Sequence, residues 1–424
     1  VLPGGIMDAT TRVDPSQFHH NAVLVDLHAH PGIKAVLFNR DLARRFGISR
    51  PAFWPYAMRT SFDRLRAGGV DVMLAAAIVP ERPMLEDMPA LRLLRYTRAG
   101  AWRQLVDPSY FQATLTVLDA LEAQAGTSQR SLGPQQRRIV LARSVAELDA
   151  ALRQGSAGPI ALVHAVEGGH SLEGPLCRQG LPDAQVQQEL LDNLQVLFQR
   201  GVAYLTLAHF FPNRLTSSVF PYPETVMSLA RWRQAVARYD LSRGLTPLGE
   251  AVVERMLELG MLIDLTHSTP LARDRVYQIL DSHRRRSAVM ATHVGVFAHK
   301  PHPYSLSDWE IRWLADRGGV AGVIFMNYWL SAANSRLGLD LIANTLRYLI
   351  ETAGTDAVAA IGSDFDGFTD PPDDLVDASE MPRLTRHLMG WVKEEGQPLF
   401  TAETLRKILG GNALRLLREG WRRK

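Results

Sequence analysis

The sequence is poor in cysteine, in long apolar runs and in lysine. Cys177 is the only cysteine among 424 residues, so an intramolecular disulfide is excluded, as are metal sites built from several thiolates. No run of about 18 apolar residues occurs, so a transmembrane helix is not expected. Arginine supplies most of the basic charge, but no stretch concentrates enough of it to predict a nucleic-acid groove.

The composition is that of a globular protein with a large core. Hydrophobic residues make up 46% of the chain and charged residues 21%, and the formal net charge is +3. A chain of this length can form one large barrel or two domains.

Strand-like and helix-like segments alternate about eight times along the chain. Each predicted strand is a short apolar run, as expected for strands buried on both faces. The strands are predicted at 22–28, 70–79, 159–166, 202–208, 261–266, 287–292, 319–326 and 358–363. The amphipathic segments between them predict helices at 60–67, 143–153, 184–199, 247–259, 271–282, 307–317 and 337–353.

Eight such units favour an α/β fold, a TIM-like (β/α)8 barrel that forms one domain over 1–424. The excess length falls in two insertions, at about 81–142 after the second strand and 210–246 after the fourth. The C-terminal segment 402–420 is expected to pack outside the barrel. An open doubly wound sheet is the alternative, but its glycine-rich phosphate fingerprint is absent after the first strand.

Polar residues follow the apolar runs at most of the predicted strand ends, which in a barrel form the catalytic rim. Taken singly, a strand-end histidine is usually structural, and Asp-Phe-Asp-Gly can be only a turn. Taken together, five of the 13 histidines end apolar strands, with Glu167 and Asp364 beside them, which favours metal binding. In chain order these residues are His28, His30, Glu167, His209, His267, His293, Asp364 and Asp366.

The spacing of these residues predicts a metal centre that activates water. His28 and His30 face the same side of a strand and can bind one cation together. Glu167 is the one carboxylate expected to bridge to a second cation, held by His267 and His293. Two cations about 3.5–4 Å apart would make hydroxide available at neutral pH. Asp364 would accept the proton of that nucleophile and deliver it to a leaving amine.

The blocks that contain these residues resemble the membrane (renal) dipeptidase family of the amidohydrolase superfamily. They read VEGGHSL, YLTLAH, IDLTHS, ATHVG, LSDWEIRWLADRGGVAGVIFMN, IGSDFDG and GGNALRLL. The resemblance extends from about residue 20 to 418. It implies a TIM-like barrel, a binuclear zinc site, a homodimer and the hydrolysis of dipeptides, some with a D-amino acid at the C-terminal position. It also favours a periplasmic location, with an N-terminal segment removed before Val1.

The resemblance assigns roles residue by residue. It implies that His209 contacts the region of the substrate carbonyl, that Asp364 and Glu167 are catalytic, and that the metal ligands are His28, Glu167, His267 and His293. At two positions the sequence departs from the family. His30 stands where the family has a carboxylate, so the metal shell loses one negative charge and the number of bound ions stays open. Tyr304 stands in the slot of an arginine that clamps the terminal carboxylate of the substrate, and a phenol cannot make that bidentate pair.

Three functions therefore stay open from the sequence. The first is a zinc-dependent dipeptidase or amidase. The second is a specialised amidohydrolase that acts on a larger peptide-derived metabolite, such as a precursor of the siderophore pyoverdine. The third is a non-catalytic binding protein that retains a metal. In each case the expected partner is a small peptide or peptide-derived molecule, and nucleic acid is not expected.

Overall fold

The structure is a computed structural model, and the observations below concern the residues that it describes. These are residues 14–44, 56–128, 136–178, 181–220, 222, 228–237, 239–283, 288–333, 335–392 and 397–422. Parts of both predicted insertions and residue 287 of the sixth predicted strand lie outside the described residues.

The strands form one parallel sheet in the order β1-β2-β4-β5-β6-β7-β8-β9. The sheet is nearly closed, because the segment after β9 returns to β1: the Asp364 amide donates to the His28 carbonyl at 2.9 Å, and the His30 amide to the Phe365 carbonyl at 2.8 Å. The bounds are β1 Val25–Ala29, β2 Val72–Ala77, β3 Ile139–Leu141, β4 Ile160–Glu167, β5 Tyr204–Thr206, β6 Leu262–Asp264, β7 Val289–Val294, β8 Val320–Val323 and β9 Ala359–Ile361.

The TIM-like barrel is thus confirmed, and the open doubly wound sheet is wrong. All eight predicted strands are present; β4 and β7 are as long as the runs that predicted them, and the other six are shorter. The extra strand β3 was not predicted. Its three residues pair with the first residues of β4, Ile139 opposite Ile160, while β5 pairs with the last residues of β4. A three-residue strand at the end of an insertion is too short to show a period of its own.

Helices alternate with the strands as predicted, and the two insertions add further helices after β2 and β5. The α-helices are α1 Pro15–Asn21, α2 Pro31–Leu37, α3 Phe62–Ala67, α4 Met84–Asp87, α5 Leu94–Thr97, α6 Ala99–Leu105, α7 Tyr110–Ser128, α8 Val145–Leu152, α9 Asp183–Gln199, α10 Leu229–Val236, α11 Pro247–Leu259, α12 Pro270–Ser282, α13 Asp308–Asp316, α14 Asn327–Leu330, α15 Leu339–Ala353, α16 Met381–Gly390, α17 Ala402–Arg406 and α18 Asn412–Gly420. Among the described residues, no helix has the length and apolar character that crossing a membrane requires.

Helix α18 covers the amino end of the barrel. Its Leu414 and Leu417, with the following Trp421, belong to the same apolar cluster as interior strand residues such as Val25 and Leu262. The Arg422 amide donates to the carbonyl of Gly260, just before β6, at 3.0 Å. The predicted C-terminal segment therefore lies outside the strands, at the end opposite to the carboxyl rim.

Candidate metal centre

The polar residues singled out in the sequence converge at the carboxyl end of the barrel. They lie at or just after the ends of β1, β4, β5, β6, β7 and β9, so six strands contribute to one small volume. Every one is at most 7% exposed: His28, His30, Glu167, His209, His267, His293 and Asp364.

Glu167, the last residue of β4, lies at the centre of this cluster. Its Oε1 is 3.4 Å from Nε2 of His28 and 3.3 Å from Nε2 of both His267 and His293. Its Oε2 is 3.3 Å from Nε2 of His30. The ring nitrogens also approach each other in pairs, at 2.9 Å between His28 and His30 and 3.1 Å between His267 and His293. Each histidine pair therefore shares Glu167 and can form a three-residue ligand set with it.

Three of the four histidines are held through the ring nitrogen that faces away from Glu167. Nδ1 of His28 donates to the Tyr204 hydroxyl at 2.6 Å, since that hydroxyl itself donates to the Leu27 carbonyl. Nδ1 of His30 donates to the Ala76 carbonyl at 3.0 Å. These bonds assign the proton to Nδ1 and leave a lone pair on Nε2, which is the arrangement of a metal ligand.

His293 is fixed in the same way by a chain of hydroxyl groups. Its Nδ1 lies 2.8 Å from the Thr292 hydroxyl, which donates to the Asp264 carboxylate at 2.7 Å. Asp264 also accepts from the Thr206 hydroxyl at 2.6 Å. Sequence reasoning missed Tyr204, Asp264 and Thr292, which lie within the strands, one to five residues before the histidine that follows or ends each strand.

The donor set fits a divalent cation of the zinc type. Oε1 of Glu167 is buried and has no hydrogen-bond donor among the described residues. Two ring nitrogens that both carry lone pairs are not stable about 3 Å apart unless a proton or a cation lies between them. Imidazole and carboxylate are the ligands that zinc takes in proteins.

The charge states agree with this assignment. Burial raises the pKa of Glu167, but the neighbouring His209 and His28 outweigh it and hold that pKa well below its usual range, so the group is a carboxylate. Burial holds the pKa of His293 well below its usual range, so that imidazole is neutral.

His209, after β5, is held by Glu81, a residue that sequence reasoning missed. Oε1 of Glu81 accepts from Nδ1 of His209 at 2.7 Å and from the Phe210 amide at 2.9 Å, while Oε2 accepts from the Phe211 amide at 3.0 Å. Nε2 of His209 then points at Oε2 of Glu167, 3.5 Å away. A signal was available, because Glu81 follows an apolar run just as Glu167 does.

Asp364 lies in a tightly constrained loop after β9. Its Oδ1 is 3.3 Å from Nε2 of His30. Asp364, Asp366 and Phe368 have φ of 55°, 69° and 61°, a left-handed conformation that costs non-glycine residues about 1–3 kcal/mol each. Gly367 is required between them, because a Cβ there would lie 2.1 Å from Oδ1 of Asp364.

Asp366 ties this loop to the segment after β1. It accepts from Nζ of Lys34 at 2.9 Å and from the Arg59 and Thr60 amides, also at 2.9 Å. Lys34, only 2% exposed, also donates to the Ala57 carbonyl. The Asp-Phe-Asp-Gly motif is therefore a fixed support for Asp364, and Lys34 is a residue that the sequence did not reveal.

Tyr304 lies in a second layer behind the histidines. Its hydroxyl donates to the His293 carbonyl, and its ring stacks on Trp329 with centroids 4.2 Å apart. It is 1% exposed, and burial raises its pKa well above the usual range, so the phenol is neutral. Arg273, paired with Glu310 at 2.6 Å, donates to the Pro303 carbonyl and so anchors the loop that carries Tyr304.

A nearly closed parallel barrel with clustered histidines and carboxylates at its carboxyl rim defines a metal-centre barrel of the amidohydrolase type. Within this class, residues 16–422 match the membrane dipeptidase family, peptidase family M19. The chain belongs to that family, as the sequence motifs predicted.

Two curated relatives match part of the chain. A Klebsiella pneumoniae protein described as uncharacterised, from the pqqA 5' region, is 36% identical over 186 residues, or 43% of this chain and 63% of that protein. The Aspergillus oryzae dipeptidase aclJ is 26% identical over 225 residues, or 53% of this chain and 46% of that protein. The matches thus span less than two thirds of the length of either relative.

Two solved structures show the same fold over nearly the whole chain. A Rhodobacter sphaeroides metallopeptidase, bound to a phosphinate mimic of L-Ala-D-Ala, has a TM-score of 0.67 at 18% identity. The match covers 95% of this chain and 100% of the metallopeptidase chain. The probable dipeptidase PvdM of Pseudomonas aeruginosa has a TM-score of 0.66 at 17% identity, with coverages of 97% and 98%. At these identities the likeness supports the barrel fold alone.

Proposed function

We propose that this chain is a metal-dependent hydrolase that cleaves dipeptides or closely related small amides. The observation that carries the proposal is the convergence of four Nε2 atoms within 3.4 Å of the Glu167 carboxylate, with Asp364 beside them. Membership of the membrane dipeptidase family and the likeness to the dipeptidase aclJ support the same reaction class.

The metal is inferred to be zinc, bound as one or two ions. His28 and His30 with Glu167 would hold one ion, and His267 and His293 with Glu167 the other. When bound, such ions polarise a carbonyl group and lower the pKa of water. His30 brings no charge to this shell, so Glu167 is its central negative group.

The side chains around the centre supply the proton transfers and the positioning. Asp364 is the general base that accepts a proton from the attacking water and returns it to the leaving amine. Burial lowers the pKa of His209, but the charges of Glu167 and Glu81 outweigh it and raise that pKa, which favours the imidazolium form with a proton on each ring nitrogen. Nδ1 then donates to Glu81, while Nε2 points toward the centre and would donate to the carbonyl oxygen of the substrate. The hydrophobic layers around these groups keep bulk water out.

A second candidate function is hydrolysis of a larger peptide-derived amide, such as a siderophore precursor. The observation that favours it is Tyr304, whose neutral hydroxyl is already engaged by the His293 carbonyl and cannot pair with a substrate carboxylate. A substrate without a free carboxylate at that end would not need such a pair.

The test is hydrolysis of a dipeptide panel and of longer peptides by the zinc-loaded protein, by a chelated sample and by the His267→Ala variant. We expect chelation or the substitution to lower dipeptide turnover about a hundredfold or more. His283→Ala is the matched control, because His283 pairs with Glu254 on the surface at 2.6 Å.

Each alternative has its own result in this experiment. Weak turnover of every dipeptide with fast cleavage of a longer peptide would favour the second candidate. A tightly held metal without hydrolysis of any peptide would overturn both and leave the binding protein predicted as the third possibility.

A further inference from the structure

One aromatic side chain beside the metal centre stays partly exposed to solvent. The ring of Phe210 stacks on His209, with centroids 3.9 Å apart and planes at 15°, and lies 5.8 Å from the ring of His267. Both histidines are buried, whereas Phe210 is only half-buried. The ring therefore forms part of the boundary between the centre and the solvent.

The position of Phe210 is fixed through its backbone. Its amide donates to Glu81, the carboxylate that also holds His209. Its carbonyl accepts from the Tyr239 hydroxyl at 2.6 Å and from the Ser218 hydroxyl at 3.2 Å. Three bonds to one residue leave little freedom, so the ring is presented in a defined orientation.

Behind Phe210 lies an aromatic wall built mostly by the insertion after β5. Tyr222 meets Phe210 edge to face at 5.7 Å, and Phe220 meets both Tyr222, at 5.6 Å, and Tyr239, at 5.1 Å. None of its described members is ionisable near neutral pH: Met84, Met88, Phe210, Phe211, Phe220, Tyr222, Trp232, Ala235, Val236 and Tyr239.

A rigid apolar surface of this kind selects what binds against it. An apolar or aromatic group that covers the ring of Phe210 loses contact with water and gains stacking contacts. A charged group in the same place would lose hydration without gaining a partner. On the opposite side of the centre, Asp364 lies beside His30, and Asp366 forms a buried ion pair with Lys34.

We propose that Phe210 is a specificity-determining residue and that the substrate carries a large uncharged apolar or aromatic group on the side of its amide that faces His209. This inference rests on the proposed amide hydrolysis. It adds a subsite for the substrate beside the proposed metal centre.

The kinetic test uses the zinc-loaded full chain and three substrates: Ala-Ala, Phe-Ala and Ala-Phe. We expect kcat/KM for one of the two phenylalanine dipeptides to exceed that for Ala-Ala about tenfold or more. In the Phe210→Ala variant this ratio should fall to near one. Phe220→Leu is the matched control, because Phe220 packs within the aromatic wall, and it should lower the melting temperature but keep the ratio.

A binding test separates the inference from the reaction. Dissociation constants are measured for phosphinate analogues of Ala-Ala, Phe-Ala and Ala-Phe on the wild type and both variants. A preference for one phenylalanine analogue that Phe210→Ala removes would support the inference even if no peptide is cleaved. The absence of cleavage would contradict the proposed function but not the inference. Equal affinities, or a preference that survives in Phe210→Ala, would overturn the inference whether or not peptides are hydrolysed.

Discussion

The two halves of the barrel rim are built from different chemistry. The half formed by β1 and β9 holds buried charges next to the centre, and we call it the ionic half: Asp364 lies beside His30, and the buried pair of Lys34 and Asp366 supports the loop that carries Asp364. The half formed by β5 to β7 is aromatic, with Phe210 on one side of His267 and Tyr304 on the other, at centroid distances of 5.8 and 5.2 Å.

Under the proposed mechanism, this difference assigns a separate role to each half. Charges and strained backbone on the ionic half would hold the proton carrier Asp364 in position, where a small displacement is costly. Rings on the aromatic half would distinguish one substrate from another by shape and apolar area. Substitutions on the ionic half should therefore change kcat for all substrates, while substitutions on the aromatic half should change the choice among them.

The largest effect is expected for Asp364→Asn on the ionic half. Asparagine keeps the shape of the loop but cannot accept a proton, so kcat for every hydrolysed peptide should fall about 10²- to 10⁴-fold. Metal content, measured by atomic absorption, should be retained, and the surface variant Asp373→Asn should behave as the wild type. Loss of metal along with activity would place Asp364 in the ligand shell instead.

A smaller loss is expected for Lys34→Met, which removes the cation that Asp366 binds. The loop should relax and displace Asp364, so kcat should fall about ten- to a hundredfold while KM and metal content change little. The control is Arg137→Met, which breaks the ion pair between Arg137 and Asp71. These side chains are 2.6 Å apart, at the amino end of β2. Both variants should lose stability, but only Lys34→Met should lose kcat; equal kcat in the two would show that Lys34 is merely structural.

On the aromatic half, Glu81→Gln tests the support of His209 and Phe210. An amide can still accept from one or two of the three donors but carries no charge, so His209 is held less firmly. We expect a loss of about tenfold in kcat/KM, with a change in the ratio between Phe-containing dipeptides and Ala-Ala. A uniform loss with an unchanged ratio would mean that Glu81 acts on His209 without orienting Phe210.

The smallest effect is expected for Tyr304→Phe. The substitution removes the hydroxyl that donates to the His293 carbonyl but keeps the ring on Trp329, so about 1 kcal/mol of unfolding free energy should be lost. Turnover of dipeptides should change by no more than about threefold, as measured by steady-state kinetics. A large loss of turnover would show that the hydroxyl takes part in the reaction.

The ligand cluster was predictable because it depends on a local pattern. Apolar strands that end in polar residues place those residues at one rim, so His28, Glu167 and His293 could be brought together without any structure. The barrel itself followed from the count of alternating segments. Both inferences use information within a few residues of each strand end.

The supports of the cluster were not predictable in this way. Lys34 meets Asp366 across 332 positions of the chain, and Tyr204 meets His28 across 176. No local pattern marks such pairs, because the contact exists only once the barrel has closed. Glu81 is an intermediate case, since it follows an apolar run as Glu167 does, but its partner His209 lies 128 positions further along the chain.

Among the described residues, α18 and Trp421 cover the amino end of the barrel with apolar side chains. Under the proposed function, substrate, water and both fragments of a cleaved amide would therefore pass through the carboxyl rim. Release of the fragments would then compete with the binding of the next substrate molecule, because both use the same rim. If Phe210 binds an apolar group of the substrate as proposed, the same contact would also slow the release of the fragment that carries this group.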